Sequence, residues 1–533
     1  MPRSICSAPG KVILFGEHAV VFGVTAIAAA LSDLRIVVQL DTIEEPHIEV
    51  NLHDLLPKDT GISDSKAAHK ISHSMVHNRI PKRTEPLSPI CPSEDVLKEL
   101  HEEFSSLPLA LAQGLMAVGF LTANIMPELM WGSDACRGIK VDVKAAGLPI
   151  SAGLGSSASF SVALAGALLR LRQLMFGDLC SIDVTLEELA GDGSAEGWSP
   201  PLGVLNILNG WAYASEVVIH GEPSGLDNTT ACFGGAVRLN RTLGRFETLP
   251  TLPDLNIMIT NTKVPRSTKE QVGKVRTLHE SMPTVVQPIL ESVEGISQVF
   301  LGLLDPDLSH GAGTLAPTKA SEASNAKHSD HFCKVVGALF NVNHNLLCAM
   351  GVGHSSLTIV KEASSSLGLA CKLTGAGGGG CAMTLLESKT DAKVGELRSV
   401  LSGYGYETFC SKLGGLGVKW HSEYPKPLQR EQYDIPNTES KSEAVKASES
   451  VGEVTAVLSD SRGKKSANII QPTDDNFILS TVVSVISVIA AVSGVGVAAG
   501  KVEMIALALL GCLAGLVCYL LVNFALKTAF ATK

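Results

Sequence analysis

Hydrophobic and polar positions divide the chain into folded, polar and strongly apolar regions. Between residues 139 and 144, isoleucine and valine alternate with lysine and aspartate, which is the period-two pattern of a half-buried strand. Residues 160–175 contain one glycine and no proline, and this composition favours a long helix. Such signals continue through residues 1–240 and 241–424, which we predict to be two folded domains of α+β structure.

The C-terminal part of the chain has a different pattern. Residues 425–475 are rich in serine, glutamate, lysine and proline, so they predict a disordered linker. Segment 476–527 contains two apolar stretches, 477–499 and 504–526, each of 23 residues without a charge. A helix of that length spans about 35 Å, enough for a hydrocarbon core of about 30 Å. The pattern predicts a two-helix transmembrane hairpin. A buried hairpin of a soluble domain is the alternative, but it would need further protein to cover both faces.

Charges around the predicted hairpin indicate its orientation. The linker before the first span and the segment after the second carry more lysine and arginine than the turn, where Lys501 lies near Glu503. The positive-inside bias therefore places both flanks, and with them residues 1–424, in the cytosol. Small residues recur four apart in both spans, a spacing that could pack the spans together or join a second copy in a homodimer.

Composition narrows the function classes. The net charge of −10 and the isoelectric point of about 5.9 argue against binding nucleic acid through a broad basic face. The 12 cysteines form no C-x-x-C pair, and the chain opens without the pattern of a secretory signal. We therefore expect reduced thiols in a cytosolic protein.

The most informative polar segment is the loop PISAGLGSSA at residues 149–158, between the predicted strand and the long helix. A glycine- and serine-rich loop that opens a helix presents free backbone N–H groups at the positive end of the helix dipole, which favours an anion such as a nucleotide phosphate. The letters also fit a dinucleotide-binding fingerprint, but the acidic strand end expected about 20 positions later is missing. A packing turn is the third interpretation. No Walker loop or protein-kinase signature occurs in the sequence.

Three further glycine-containing segments strengthen the phosphate interpretation. Residues 7–19 combine a Pro-Gly turn with a lysine, a glutamate and a histidine, and residues 221–229 contain a Gly-Leu-Asp sequence. Residues 372–381 contain four consecutive glycines between apolar runs. A flexible linker is the simplest interpretation of four glycines, but the flanking apolar runs place them inside a domain. Glycine there indicates that the backbone approaches another group closely.

These segments resemble motifs of the GHMP kinase superfamily, in the order in which that family carries them. They are APGKVILFGEHAVV at 8–21, GLGSSA at 153–158, NTKVPR at 261–266 and KLTGAGGGGC at 372–381. The last two resemble segments particular to the branch that phosphorylates mevalonate. The resemblance extends over roughly residues 1–420.

The resemblance implies a set of site residues. Those implied to bind ATP are Lys11, Asp54, Ser151, Ala152, Gly153, Leu154, Gly155, Ser156 and Ser157. Ser157 and Glu216 are implied to hold Mg²⁺. Asp227 is implied to accept the proton of the substrate hydroxyl, with Lys11 beside it as the second catalytic residue. Glu17, His18 and Thr262 are implied substrate contacts. Gly375, Gly377, Gly378 and Gly379 are implied to lie near the phosphates.

The same resemblance implies a fold and an activity. Residues 1–240 would form a ribosomal-protein-S5-like ATP-binding domain and residues 241–424 a ferredoxin-like domain. The expected reaction is ATP- and Mg²⁺-dependent phosphorylation of the primary hydroxyl of mevalonate to 5-phosphomevalonate, in isoprenoid and sterol precursor synthesis. With the hairpin, this predicts a kinase on the cytosolic face of a membrane, with the endoplasmic reticulum expected from pathway logic. Two alternatives stay open: a related kinase of phosphomevalonate, galactose or homoserine, or a membrane-tethered metabolite sensor without catalysis.

Overall fold

The computed structural model describes residues 2–52, 68–131, 138–182, 184–190, 197–240, 245–308, 325–386 and 392–425. Asp54, the predicted linker beyond residue 425 and the predicted hairpin therefore lie outside the described residues.

Twelve strands form two sheets in the described part of the chain. They are β1 (Arg3–Phe15), β2 (Ala26–Ile43), β3 (His47–Asn51), β4 (His69–Ser72), β5 (Gly138–Ala146), β6 (Ala236–Asn240), β7 (Arg245–Thr248), β8 (Asn256–Asn261), β9 (Cys371–Thr374), β10 (Cys381–Leu386), β11 (Glu407–Lys412) and β12 (Lys419–His421). The alternation at residues 139–144 is confirmed as β5, whose residues point alternately into the core and outward.

Thirteen α-helices connect and cover the strands in the same described ranges. They are α1 (His73–His77), α2 (Glu94–Glu103), α3 (Leu109–Ile125), α4 (Pro127–Trp131), α5 (Ser156–Phe176), α6 (Leu186–Ala190), α7 (Leu202–His220), α8 (Leu226–Phe233), α9 (Thr268–Ser281), α10 (Pro283–Leu304), α11 (Asn325–Ala349), α12 (Ser355–Ser366) and α13 (Ala392–Gly403). The long helix predicted over residues 160–175 is confirmed within α5.

The larger sheet has eight strands. Its order is β12-β1-β2-β5-β3-β4, with β6 paired to β2 and β7 paired to β6. All of these pairs are antiparallel except β3 with β5. The sheet extends past the predicted domain boundary at residue 240, because β7 follows that residue and β12 returns from the end of the predicted second domain. The ribosomal-protein-S5-like description of this part stays a prediction.

The smaller sheet has the order β11-β8-β10-β9 and is antiparallel throughout. If β8, β9, β10 and β11 are numbered one to four in chain order, the order of the strands across the sheet is four, one, three, two. Helices α9 to α12 follow the first strand and α13 follows the third. This is the β-α-β-β-α-β arrangement of ferredoxin-like folds, extended by extra helices.

Helix α5 is the centre of the larger sheet's core. It is buried on nearly every side, between β1 and β2 of the sheet and helices α3, α7 and α8. At Gly166 an added Cβ would press on the Cys6 sulfur of β1, so the helix approaches the sheet closely where it lacks a side chain. Helices α5 and α7 are long and apolar enough to cross a membrane by length and composition, yet 72% and 50% of their most apolar windows are buried inside the protein. An all-round apolar surface is what a buried core helix requires.

One core cluster contains residues of both sheets, within a single compact unit, and a second cluster includes further residues of the smaller sheet. Phe15 at the end of β1 packs against Phe300 of α10 and Phe340 of α11, with ring centroids 5.3 and 5.9 Å away. The end of β1 is therefore the place where the first motif meets the second half of the chain. The cysteines of the described residues are free thiols.

Candidate active site

The phosphate-loop segment forms a turn that delivers α5. Ser151, Gly153 and Gly155 all have φ between +59° and +80°, and Gly155 caps the helix in the left-handed conformation. Ala152 and Leu154 point into the core, whereas Ser151 and Gly153 are exposed. The first-turn amides of α5 thus face outward at the positive end of the helix dipole, which is the geometry of an anion site.

Lys11 and Asp227 form an ion pair beside this loop. The Lys11 Nζ lies 2.9 Å from Asp227 Oδ1, and the Lys11 and Asp227 side chains are 7% and 36% exposed. The Lys11 backbone N–H donates to the Leu154 carbonyl at 2.9 Å, so β1 and the phosphate loop are fixed to each other. Asp227 lies in the first turn of α8, whose dipole favours a carboxylate there. The half-open carboxylate is the member of the pair that a substrate can reach.

A chain of hydroxyl groups leads from the core to the loop through Glu216. Ser215 and Ser161 are hydrogen-bonded at 2.8 Å, and the Ser161 hydroxyl donates to Glu216 Oε1 at 3.1 Å. The Ser157 hydroxyl donates to Glu216 Oε2 at 3.3 Å, and His220 Nε2 lies 3.0 Å from Ser157 Oγ. Glu216 and His220 are four residues apart on α7, so both side chains project from one face of the helix.

The electrostatics of this cluster favour a bound cation. Burial and the nearby Asp227 carboxylate raise the pKa of Glu216 to about 8, although hydrogen bonds from Ser161 and Ser157 and the charge of Lys11 oppose the rise. A cation near Glu216 would stabilise its ionised form against both the desolvation and the repulsion from Asp227. Among the described residues, no group of three or more His, Cys, Asp or Glu side chains is arranged to hold a metal. One carboxylate and one hydroxyl suit Mg²⁺, which fills its other positions with phosphate oxygens and water.

Arg266 connects the phosphate loop to the four-glycine segment. Its Nη2 donates to the Ala152 carbonyl at 3.0 Å, and Cys381 Sγ donates to the same carbonyl at 3.2 Å. A Cβ at Gly153 or at Gly380 would overlap the Arg266 guanidinium. Burial lowers the pKa of Arg266 below its ordinary value. Two glycines therefore give one half-buried cation room to join loops from the two halves of the chain.

Comparison with known proteins gives the family. The profile described as GHMP kinases N terminal domain matches residues 122–201, and that described as GHMP kinases C terminal matches residues 334–398. Mevalonate kinase of Mus musculus is 34% identical over 432 residues, which cover 78% of this chain and 95% of the relative. Mevalonate kinase of Homo sapiens is 32% identical over 421 residues, with coverage of 78% and 95%.

The chain belongs to the mevalonate kinase family.

Solved structures agree with this assignment at the level of fold. The crystal structure of L. major mevalonate kinase in complex with R-mevalonate has a TM-score of 0.52 and 20% identity, covering 78% of this chain and 96% of that one. The Methanococcus jannaschii mevalonate kinase has a TM-score of 0.50 and 20% identity, covering 76% and 97%. The predicted α+β GHMP kinase fold is thus confirmed for the described part of the chain.

The structure places the implied core of the mevalonate kinase site together. Lys11, Asp227, Ser157 and Glu216 adjoin one another at the start of α5, as the preceding contacts describe. Asp54 is outside the described residues, so its implied ATP contact stays a prediction.

The implied substrate residues have a different environment from the one expected. Glu17 has no solvent exposure and pairs with the equally buried Lys372, and Asn343 Nδ2 donates to its second oxygen at 3.1 Å. Its carboxylate is thus fully engaged inside the protein, which gives Glu17 a structural role where the resemblance implied a substrate contact. A substrate contact needs an accessible side chain, whereas Lys372 of β9 covers Glu17.

His18 and Thr262 hold the glycine segment. His18 Nε2 is hydrogen-bonded to the Ala376 carbonyl at 2.8 Å, and the Thr262 hydroxyl donates to the Gly380 carbonyl at 2.8 Å. Nδ1 of His18 is buried and has no hydrogen-bond partner. Desolvation lowers the pKa of His18, so its ring is neutral near pH 7. One nitrogen of His18 is therefore committed to the loop and the other is unpaired.

The four implied loop glycines all have positive φ. Gly375, Gly377 and Gly378 lie between +67° and +78°, and Gly379 lies at +126°. A Cβ at Gly377 would collide with the Val352 carbonyl and one at Gly378 with the Gln271 side chain. The sequence contained the signal for this loop, but it did not show that Arg266, His18 and Thr262 secure it. His220 was also missed, and its spacing of four from Glu216 was the available signal.

Proposed function

We propose that this chain transfers the γ-phosphoryl group of ATP to the primary hydroxyl of mevalonate, giving 5-phosphomevalonate and ADP. The observation that carries the proposal is the Lys11–Asp227 ion pair next to the phosphate loop. The names of its relatives, at 32–34% identity over most of their length, support mevalonate as the acceptor.

Asp227 acts as the base in this proposal. Its half-exposed carboxylate accepts the proton of the substrate hydroxyl as that oxygen attacks the γ-phosphorus. Lys11, almost completely buried, keeps a positive charge beside Asp227 and beside the developing negative charge on the transferred group. The first-turn amides of α5 orient the phosphates, because the loop backbone is fixed to β1 and to Arg266.

Mg²⁺ is the metal that the site residues fit. Ser157 and Glu216 would hold it, and when bound it would neutralise phosphate charge during transfer. Glu216 contributes a carboxylate whose pKa is raised by burial and by the nearby Asp227 carboxylate. For mevalonate itself, we assign the unpaired Nδ1 of His18 as the polar atom that faces the substrate, since Nε2 of the same ring is already hydrogen-bonded to the Ala376 carbonyl.

The test compares the full-length parent with Asp227→Asn in a coupled assay with ATP and Mg²⁺. We expect phosphorylation of mevalonate in preference to galactose and phosphomevalonate, and a loss of kcat of about 10²- to 10⁴-fold in the variant. ATP affinity should be retained, because the variant leaves the phosphate loop intact. A folded parent that phosphorylates galactose or phosphomevalonate but not mevalonate would favour the other kinase interpretation. A folded parent that binds ATP without turnover would favour the sensor.

We also propose that residues 477–526 tether the kinase to the cytosolic face of the endoplasmic reticulum membrane. The support is the sequence pattern of two uncharged 23-residue stretches and the positive flanks. The small-residue spacing in both spans would also allow a homodimer through the hairpin. The experiment is fractionation of the full chain beside a chain ending at residue 425, the last of the described residues. Full chain in a salt-washed soluble fraction contradicts the tether.

A further inference from the structure

His220 lies at the end of α7, one turn after Glu216. Its Nε2 is 3.0 Å from the Ser157 hydroxyl oxygen. The His220 side chain is exposed, in contrast to the buried Glu216, Ser161 and Ser215 of the same cluster. An exposed ring at a helix end contributes little to the core, so its contact with Ser157 calls for another explanation.

The Ser157 hydroxyl has one proton and two lone pairs to distribute. Its proton is directed to Glu216 Oε2 at 3.3 Å. If His220 carries its hydrogen on Nε2, it donates to one Ser157 lone pair and the other stays free. If Nε2 lacks the hydrogen, the Ser157 proton turns to His220 and the buried Glu216 Oε2 loses a donor. When a bound cation keeps Glu216 ionised, leaving its buried Oε2 without a donor is costly, so the first arrangement is preferred in that state.

We propose that His220 is a positioning residue that fixes the rotation of the Ser157 hydroxyl. Its Nε2–H holds one lone pair and Glu216 holds the proton, so the remaining lone pair would be left for the divalent cation that accompanies the nucleotide. The inference rests on the proposed function, because Ser157 and Glu216 are the residues assigned there to the metal. It adds a neighbour that prepares a ligand without touching the reacting atoms.

The experiment measures binding and does not use mevalonate. Full-length parent, His220→Ala, His220→Gln and a control, His101→Ala, are titrated with a non-hydrolysable ATP analogue in EDTA and again with Mn²⁺. Mn²⁺ binding is followed by electron paramagnetic resonance. His101 is an exposed histidine of the surface helix α2, so its loss reports the effect of removing any imidazole. The glutamine variant matters because its side-chain N–H₂ can replace the Nε2–H donor.

We expect all four proteins to bind the metal-free analogue within about two-fold of each other. With the analogue present, His220→Ala should bind Mn²⁺ about 10- to 100-fold more weakly than the parent, the range found for partners of metal ligands. His220→Gln should recover most of that loss, and His101→Ala should equal the parent.

Three outcomes overturn the inference: equal Mn²⁺ affinity in parent and His220→Ala, an equal loss of metal-free analogue binding in His220→Ala, or no recovery in His220→Gln. If the expected pattern appears and the parent still fails to phosphorylate mevalonate, the proposed substrate is refuted while the role of His220 stands.

Discussion

The buried ion pair between Glu17 and Lys372 offers a sharp test of how the two halves of the kinase are joined. Both side chains have no solvent exposure, and Lys372 also lies about 6 Å from the ring centroids of Phe15 and Phe340. The Lys372→Met variant keeps the length of the stem but removes the charge. It leaves the Glu17 carboxylate buried with the Asn343 amide as its hydrogen-bond donor.

The expected cost follows from that isolation. Removing one partner of a buried pair costs about 3–5 kcal/mol, because an uncompensated charge stays in a medium of low dielectric constant. A protein domain has a free energy of unfolding of about 5–15 kcal/mol, so Lys372→Met should lose a large part of it. The double variant Glu17→Gln with Lys372→Met should lose much less, since glutamine removes the charge and keeps an acceptor for Asn343.

The assay is urea unfolding followed by the fluorescence of the buried Trp211 and Trp420, with each single variant, the double variant and the parent. A double-mutant cycle gives the coupling between the two sites. The control is Lys334→Met, an exposed lysine paired with Asp330 on α11, which should change the unfolding free energy by less than about 1 kcal/mol. The reasoning is refuted if Lys372→Met matches this control, or if the double variant is no more stable than Lys372→Met.

Three shorter predictions concern pH, the phosphate loop and catalysis. Burial lowers the pKa of His421 from 6.5 to about 4, so the unfolded chain takes up the proton first as the pH falls. The free energy of unfolding should therefore decrease by about 3 kcal/mol between pH 6.5 and pH 4. His421→Gln should flatten that part of a urea-unfolding pH profile. Gly153→Ala should weaken ATP binding about tenfold in a fluorescence titration, since the φ of Gly153 is +80° and the Arg266 guanidinium occupies the space that the new Cβ needs. The matched control is Gly395→Ala, on an open helix surface, which should bind ATP normally. Lys11→Met should lower kcat about 10²- to 10³-fold in the coupled assay, and an unchanged kcat would remove Lys11 from the mechanism.

Local patterns in the sequence predicted local structure well. The strand at residues 139–144 and the helix over residues 160–175 follow from periodicity and composition, and both are present as β5 and α5. The loop between them was recognisable because a glycine- and serine-rich segment before a helix usually forms either a tight turn or an anion-binding loop. Its neighbours Lys11 and Asp227 were identified through the family motifs, since nothing in their local sequence distinguishes them from a surface lysine and a helix-start aspartate.

What the sequence could not indicate is how distant segments pair. Glu17 is 355 positions from Lys372, and His18 is 358 positions from Ala376. A charge in a catalytic motif suggests a ligand contact, and only the pairing of β9 with the rest of the chain shows that the Glu17 charge is already neutralised. Glu17 would then affect substrate binding indirectly. Glu17 fixes β9 through Lys372, His18 and Thr262 fix the loop that follows β9, and Arg266 ties that loop to the one that opens α5. A substitution at Glu17 should therefore alter ATP affinity and mevalonate affinity together, whereas a direct substrate contact would alter mevalonate affinity alone.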